Sequence, residues 1–373
     1  MSRWMEHSRG RKLSFWVGVP LLLCSTIVDS RSSESQSGPY QRVTSVPGGG
    51  ADGVWDYATV DSAARRLYLA QDGVTVLDLD TGKVTPHFVS GKSFHGLVPT
   101  HHVLPVNGGK ALAVSDVATN SVDFFDPQTG KILSVVSLGP PPEQNWHNPD
   151  GLLYEPKSKF LIAVNGDRSS LSLIDTTAFA KSGDIPIGKG KLETAVADGA
   201  GLVYVNQEES NSIAVVDVTK RKVLQEIAMK DCEEPTGLAY DSKDRLVISV
   251  CSNGLAKFIA SDSKEEIASV KVGSGADGIV YDPQRQIVFS FGGDDGTLSV
   301  IAVHCRKSIA LVQTLKTKPG ARLGALDPKT GRVYIPAASF GPPAAPIALP
   351  GLEPLPGLNP HTFEFLVVAP TSP

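Results

Sequence analysis

The chain has 373 residues, of which 36 are glycine and 27 are proline, and only 20% are charged. Frequent turn residues and few charges are typical of a domain built from many short strands, and they disfavour a helical protein. The formal net charge of −4 argues against binding to a phosphate backbone, so we predict no nucleic-acid partner.

Residues 1–30 have the organisation of a secretory signal peptide. Basic residues come first, namely Arg3, Arg9, Arg11 and Lys12, and an apolar run follows at 13–28. An uncleaved membrane anchor is the alternative, but the run is short for a span and Pro20 interrupts it. We therefore predict a secreted or periplasmic protein with no stable membrane span after cleavage, followed by a flexible linker at 31–39.

From residue 40 onwards the sequence is dominated by an internal repeat. A strand-like phrase of alternating apolar residues, often ending in Asp, occurs seven times: GVTVLD (73–78), SVDFFD (121–126), SLSLID (170–175), SIAVVD (212–217), GLAKFI (254–259), TLSVIA (297–302) and TFEFLV (362–367). Two other strand-like phrases precede each occurrence, as RLYLA (66–70) does, and a fourth strand closes each of the first six units. Four strands in about forty residues cannot bury a core alone.

Seven such units predict an all-β fold, a seven-bladed β-propeller with four antiparallel strands per blade, because radial stacking buries both faces of every sheet. The single domain would span 40–370. Its last unit ends at a third strand, FEFLVVA (363–369), whereas a lone strand, YQRVTSV (40–46), precedes the first unit. We predict that this N-terminal strand closes the last blade and removes exposed edges. Seven prolines at 339–361 predict an insertion loop without regular strand or helix.

The repeat resembles that of the YVTN-repeat propellers, also called YncE-like proteins. The similarity is carried by AVSDVATNSVDFFDPQTGKIL (113–133), LVYVNQEESNSIAVVD (202–217) and HHVLPVNGGKALAV (101–114). In that family a Y-V-x-N phrase is followed by a short turn, an Asn and alternating apolar residues that lead to Asp. The resemblance implies an extracytoplasmic seven-bladed propeller, often with no assigned reaction.

Candidate site residues come from the starts of the first strands, which line the central channel of a propeller. Aligning the seven units gives one residue per blade: Asp56, His102, Asp150, Glu193, Thr236, Asp277 and Arg322. Trp146 and His147, in the loop NWHNPDG (145–151), would stand just outside this ring, and His101 is expected to be a solvated strand residue. The ring predicts a ligand site at the channel mouth. The alternative is structural, with these side chains accepting hydrogen bonds from neighbouring backbone.

The function predicted first is a monomeric binding or scaffold module that recognises a small molecule or a protein segment. No nucleophile and base can be paired, so no catalytic residue and no cofactor are predicted. A metal-dependent hydrolase similar to the lactonase propellers of the gluconolactonase class is the second hypothesis, with a divalent ion on Asp150, Glu193 and Asp277. A quinone-dependent dehydrogenase is the third, although only four tryptophans are present.

Three cysteines follow the predicted cleavage site: Cys232, Cys251 and Cys305. An odd number leaves at least one of them free or paired outside the chain. In an oxidising compartment we predict a disulfide between Cys232 and Cys251.

Overall fold

A computed structural model describes residues 38–90, 100–140, 148–188, 190–343 and 356–371. All regular secondary structure within these ranges is β, and it forms seven four-stranded antiparallel sheets and one two-stranded ribbon. The first strands of successive sheets contact one another in a closed cycle from the first sheet round to the seventh and back. The sheets are therefore the blades of a seven-bladed propeller, as the sequence predicted.

The first three blades each contain four strands that are consecutive in the chain. Blade one consists of β2 (Ala58–Asp61), β3 (Arg66–Ala70), β4 (Gly73–Asp78) and β5 (Val84–Ser90). Blade two consists of β6 (Thr100–Val106), β7 (Ala111–Asp116), β8 (Ser121–Phe125) and β9 (Ile132–Ser137). Blade three consists of β10 (Leu152–Glu155), β11 (Phe160–Asn165), β12 (Ser170–Asp175) and β13 (Ala180–Pro186).

The next three blades repeat this order. Blade four consists of β14 (Leu192–Ala197), β15 (Leu202–Gln207), β16 (Ser212–Asp217) and β17 (Lys222–Ala228). Blade five consists of β18 (Pro235–Asp241), β19 (Leu246–Cys251), β20 (Leu255–Ala260) and β21 (Glu266–Lys271). Blade six consists of β22 (Ala276–Asp282), β23 (Ile287–Gly292), β24 (Thr297–Cys305) and β25 (Ser308–Lys316).

Blade seven takes its strands from both ends of the chain. It consists of β26 (Ala325–Asp327), β27 (Arg332–Ala337), β30 (Glu364–Pro370) and, at its outer edge, β1 (Tyr40–Pro47). The ladder between β1 and β30 runs from Tyr40 opposite Pro370 to Pro47 opposite Glu364. The predicted closure of the last blade by the N-terminal strand is therefore confirmed.

Burial along the strands follows their position in the blade. The middle strands are covered on both faces by neighbouring blades, so β19 and β23 are buried at every residue. The outermost strands are mostly exposed, and β17 buries only Ile227. The Asp that ends a repeat phrase caps the turn that follows. The Asp126 carboxylate, for example, accepts hydrogen bonds from the backbone N–H groups of Gln128 and Thr129.

The proline-rich insertion begins and ends with strand pairing. β28 (Phe340–Pro343) and β29 (Pro356–Leu358) form a short antiparallel ribbon, and residues 344–355 lie outside the described ranges. The prediction that the prolines exclude any strand was therefore wrong at both ends of the segment. Both strands of an isolated ribbon are edge strands, where a proline whose N–H side faces outward removes no ladder hydrogen bond. Phe340 packs on the buried Trp55, with ring centroids 6.0 Å apart.

The predicted disulfide between Cys232 and Cys251 is confirmed, and Cys305 is a free, exposed thiol. The predicted signal peptide and all but the last two residues of the predicted linker lie outside the described residues. Among the described residues, no helix has the length and apolar character needed to cross a membrane.

Candidate functional site

All seven blades contribute to the wall of a central cavity of about 670 Å³ at one end of the channel. The wall is built from the loops that precede the first strands, from the first strands themselves, and from loops between second and third strands. Its residues are Asp56, Tyr57, His101, Asp150, Lys191, Glu193, Glu208, Glu233, Glu234, Thr236, Ser252, Asn253, Ser274, Gly275, Ala276, Asp277, Asp294, Pro319, Arg322 and Leu323.

Six of the nine predicted site residues are brought together in this wall: Asp56, Asp150, Glu193, Thr236, Asp277 and Arg322. Trp146 and His147 lie outside the described residues, so their prediction stays open. The remaining residue, His102, does not line the cavity, and its neighbour His101 does. The expectation that His101 is a solvated strand residue was also wrong, because only 6% of it is exposed.

A β-bulge at the start of the first strand explains the one-residue error. In blade two the ladder jumps from Thr100 opposite Asp116 to Val103 opposite Val114, which leaves His101 and His102 opposite a single residue. Blade four has the same bulge, and there the first bulged residue is Glu193. The equivalent residue in blade two is therefore His101. A bulge reorients a side chain, so simple alternation does not carry across it.

The equivalence of His101 and Glu193 could not be recognised in the sequence because of the turn after β6. The seven units were aligned on the last residue of the opening phrase, which is Asn107 in HHVLPVN (101–107) and Asp241 in PTGLAYD (235–241). Asp241 is also the last residue of β18. In the structure β6 already ends at Val106, and Asn107 lies in the turn with a φ of 54°. Asn tolerates this left-handed conformation better than most residues. The one extra turn residue displaced the predicted ring position from His101 to His102.

His102 instead joins blades one, two and three. Its Nδ1 accepts a hydrogen bond of 2.9 Å from the backbone N–H of Leu152. Its Nε2 lies 3.1 Å from the hydroxyl of Thr59, and its ring stacks on Tyr57 with centroids 4.8 Å apart. Burial lowers the pKa of His102 to about 4, so the ring is neutral at pH 7. The structural alternative is thus correct for this residue.

Thr236 has a structural role as well. Its hydroxyl donates a hydrogen bond of 2.9 Å to the carbonyl oxygen of Ala276 in the next blade. The carbonyl oxygen of Thr236 accepts a bond of 2.8 Å from the side-chain amide of Asn206 in the previous blade. Thr236 therefore helps to join blades four, five and six, and it also lines the cavity.

The strongest convergence of polar groups involves blades one, two and three. The Nδ1 atom of His101 lies 3.2 Å from Oδ1 of Asp150 and 3.9 Å from Oδ2 of Asp56. Burial raises the pKa of Asp56 to about 6, although the positive charges of His101 and Arg322 oppose the rise. Burial alone would lower the pKa of His101. The hydrogen bond with Asp150 and the charge of Asp56 outweigh it, so the pKa is raised.

A second group, on blade four, is centred on Lys191. Its Nζ contacts the carboxylate of Glu193 and lies 2.6 Å from Oε2 of Glu208. Burial and the charge of Glu193 raise the pKa of Glu208 to about 7, although Lys191 opposes the rise. Burial would lower the pKa of Lys191, but the two carboxylates raise it well above its ordinary value. Lys191 therefore remains charged.

On the wall formed by blades six and seven, Arg322 pairs with Asp277. The guanidinium NH1 lies 3.1 Å from Oδ2 of the carboxylate. Burial raises the pKa of Asp277 although Arg322 opposes it. Of the predicted metal ligands Asp150, Glu193 and Asp277, Glu193 contacts Lys191 and Asp277 contacts Arg322, so these two are held in separate ion pairs. Among the described residues, one group of His, Cys, Asp or Glu has a metal-like spacing, and its members are Asp56, His101 and Asp150.

The sequence analysis also missed several residues of the wall. Lys191 could have been found, because it lies two residues before Glu193 and side chains alternate along a strand. The acidic pair Glu233 and Glu234 stands directly before β18, where an incoming loop was already expected to reach the mouth. Glu208 lies in the loop after β15, between the second and third strands of blade four. Such loops open on the same face of a propeller as the loops that enter the first strands, so Glu208 could have been found as well.

Comparisons with known proteins support the fold and nothing finer. No protein-family model matches the sequence, and no curated protein matches it either. The resemblance to YVTN-repeat proteins therefore stays a prediction. Among solved structures, the chain is similar to a chain in a crystal structure of the mitotic checkpoint complex, with a TM-score of 0.64 and 15% sequence identity. The match covers 87% of the present chain and 95% of the chain from the complex. The present chain is also similar to hydrazine synthase from Kuenenia stuttgartiensis, with a TM-score of 0.62 and 15% identity, over 83% of this chain and 96% of that one.

Proposed function

We propose that this protein is an extracytoplasmic binding module, and that its central cavity takes a positively charged group of a small molecule or a protein segment. The charge of the wall carries the proposal. Eight of the lining residues are acidic, whereas the basic ones are Lys191, Arg322 and His101. A cavity with low-dielectric walls and one dominant sign of charge concentrates ligands of the opposite sign.

Lys191 and Arg322 are the permanently charged basic residues of the wall, and they do not make its net charge positive. Lys191 is shared between two carboxylates, and Arg322 is held by Asp277. An anionic ligand would have to displace one of these ion pairs. A cationic ligand instead enters a wall in which acidic side chains, among them Glu233 and Glu234, outnumber the basic ones.

The size of the cavity fits this function. Its volume of about 670 Å³ lies within the range of small-molecule sites, which is about 300–1,000 Å³. The wall is rigid, because its residues are on or next to strands of seven packed sheets. A preorganised wall lowers the entropic cost of binding. The Cys232–Cys251 disulfide supports an oxidising compartment outside the cytoplasm.

Thermal-shift and calorimetric titrations at low ionic strength test the proposal. The probes are agmatine, cadaverine and an oligolysine peptide, with glutarate as the anionic control. We expect the cationic probes to raise Tm and glutarate to leave it unchanged, because binding to the native state alone stabilises it. The double variant Glu233→Gln/Glu234→Gln should weaken the shift.

The matched control is Glu265→Gln, which removes an exposed acidic group in the turn between β20 and β21, at the other end of blade five. It should keep the full Tm shift. If no cationic probe stabilises the protein, or if Glu265→Gln weakens the shift as much as the double variant, the cavity is not the proposed site.

A second candidate function, metal-dependent hydrolysis, is favoured by one observation. Asp56, His101 and Asp150 converge at the cavity wall, where an ion would face open space that a substrate could enter. Assays of ester and lactone hydrolysis with added Zn²⁺ or Mn²⁺ test it. Hydrolysis that His101→Gln abolishes would support an enzyme, and equal rates with and without the protein would reject it.

A further inference from the structure

Three side chains of consecutive blades meet at one point although they are 45 and 49 residues apart in the sequence. The ligand-type atoms of Asp56, His101 and Asp150 all lie within 4.8 Å of one another. They combine one imidazole nitrogen with oxygens of two carboxylates. This is a mixed nitrogen and oxygen donor set, which a cluster of acidic residues alone does not provide.

Each of the three residues is anchored by backbone hydrogen bonds to a sheet. The N–H of Asp56 donates to the carbonyl of Ala70 at 2.9 Å, and the N–H of Asp150 donates to that of Val164 at 2.8 Å. The carbonyl of His101 accepts a bond of 3.0 Å from the N–H of Tyr57, which follows Asp56. The donor atoms are thus presented by three packed blades, which is the rigidity that a metal site needs.

Burial and charge at this point also suit a cation. The side chains of His101 and Asp150 are only 7% and 5% exposed, and that of Asp56 is 17% exposed. The two carboxylates carry two negative charges, whereas the imidazole carries at most one positive charge. A divalent ion on a neutral imidazole balances both carboxylates.

We propose that Asp56, His101 and Asp150 bind one first-row divalent metal ion, Zn²⁺ or Mn²⁺. Bonds of about 2.0–2.1 Å to such an ion place tetrahedral ligand atoms about 3.3 Å apart. The separation of His101 Nδ1 from Asp150 Oδ1 is already 3.2 Å, and Asp56 Oδ2, at 3.9 Å from Nδ1, moves in by about half an ångström. Ca²⁺ and Mg²⁺ fit less well because they prefer oxygen ligands alone.

The remaining coordination positions face the cavity. Asp56 is the most exposed of the three side chains and lines the same wall as Tyr57 and Arg322. A water molecule or a ligand from the cavity therefore has access to the ion, as at metal sites with an open position. This inference goes beyond the proposed cation binding and does not depend on it.

Metal stoichiometry and spectroscopy test the site on the full chain. Protein stripped with EDTA is loaded with Zn²⁺, desalted and assayed for metal, and a parallel sample loaded with Co²⁺ is examined by visible absorption. We expect one ion per chain and a Co²⁺ spectrum typical of bound metal. His101→Gln and Asp56→Asn should each weaken Zn²⁺ binding by more than about tenfold. Asp56→Asn is included because its more exposed position makes it the safer variant for folding.

Asp277→Asn is the charge control, because it removes one negative charge from the same cavity but no proposed ligand. It should retain one ion per chain. A wild type that binds no Zn²⁺, Mn²⁺ or Co²⁺ would overturn the inference, and so would an Asp277→Asn variant that loses the ion as fully as Asp56→Asn. Titration of oligolysine in the presence of EDTA tests the proposed cation binding separately, since it needs no metal.

Discussion

The side-chain amide of Gln313 forms hydrogen bonds with both the N–H and the carbonyl group of Tyr40, although the two residues are 273 positions apart. Its Oε1 accepts a hydrogen bond of 3.0 Å from the Tyr40 N–H, and its Nε2 donates one of 2.8 Å to the Tyr40 carbonyl. Pro370, which stands opposite Tyr40 in the ladder, has no N–H to donate. Blade six therefore completes the hydrogen bonding of the strand that closes blade seven.

We expect Gln313→Ala to lower the free energy of unfolding by about 1–3 kcal/mol, because it leaves two buried backbone groups of Tyr40 without partners. Urea unfolding followed by circular dichroism measures this. The matched control is Gln225→Ala. Gln225 pairs with Val215 as Gln313 pairs with Val300, the same position of the repeat, but it is exposed. Equal losses for the two variants would contradict the role of Gln313.

The disulfide predicts a second effect on stability. Cys232 and Cys251 close a loop with a sequence separation of 19. The double variant Cys232→Ala/Cys251→Ala should lose about 3 kcal/mol of stability, chiefly because the unfolded chain gains freedom. Cys305→Ala, at an exposed thiol, should stay within about 0.5 kcal/mol of the wild type. Thiol titration of the unfolded, unreduced protein that detects Cys232 and Cys251 as free thiols would show that the disulfide does not form.

Glu208 predicts a pH dependence of stability. Its pKa is about 7 in the folded protein and near its ordinary 4.5 in the unfolded chain. Between pH 4.5 and 7 the folded state therefore binds more protons than the unfolded chain. The stability that protonated Glu208 contributes is complete below pH 4.5 and is lost as the pH rises towards 7. For one proton the slope is at most about 1.4 kcal/mol per pH unit.

Glu208→Gln should flatten the fall in stability between pH 4.5 and 7. Urea midpoints measured across this range provide the test. Glu209→Gln is the control, since Glu209 is the exposed neighbour in the same loop and should keep the wild-type profile. A Glu208→Gln profile as steep as the wild type would show that another group titrates.

Mutation of His102 should reduce the stability of the protein without changing ligand binding at the cavity. His102→Ala leaves the buried N–H of Leu152 without its acceptor, so we expect a loss of about 1–3 kcal/mol in stability. It should not change the affinity for the oligolysine peptide, because His102 does not line the cavity. Calorimetric titration of the folded variant measures this. An affinity that falls with His102→Ala would place this residue at the site after all.

The fold could be read from the sequence because its main determinants are local. Alternating apolar residues define each strand, and a turn follows each one, so seven repeats of four strands specify seven blades. Strand counting also revealed the closure, since the last unit lacked a fourth strand and β1 had no partner in its own unit. The ends of the insertion were missed because their pairing depends on which backbone groups meet there.

The site could be predicted only as far as the repeat was regular. Alignment of the blades located six residues that line the cavity: Asp56, Asp150, Glu193, Thr236, Asp277 and Arg322. The bulge and the turn residue in blade two then moved the ring position by one residue, which no periodicity reveals.

The sequence by itself determined the number of blades, the strand order and the level of the channel at which polar residues collect. The tertiary structure alone decided which polar groups touch. It brought His101 to Asp150, Lys191 to Glu208 and Arg322 to Asp277. The reason is that strand and turn patterns depend on neighbouring residues. Side-chain contacts between blades depend on bulges, loop lengths and the angle at which separately encoded sheets pack around a common axis.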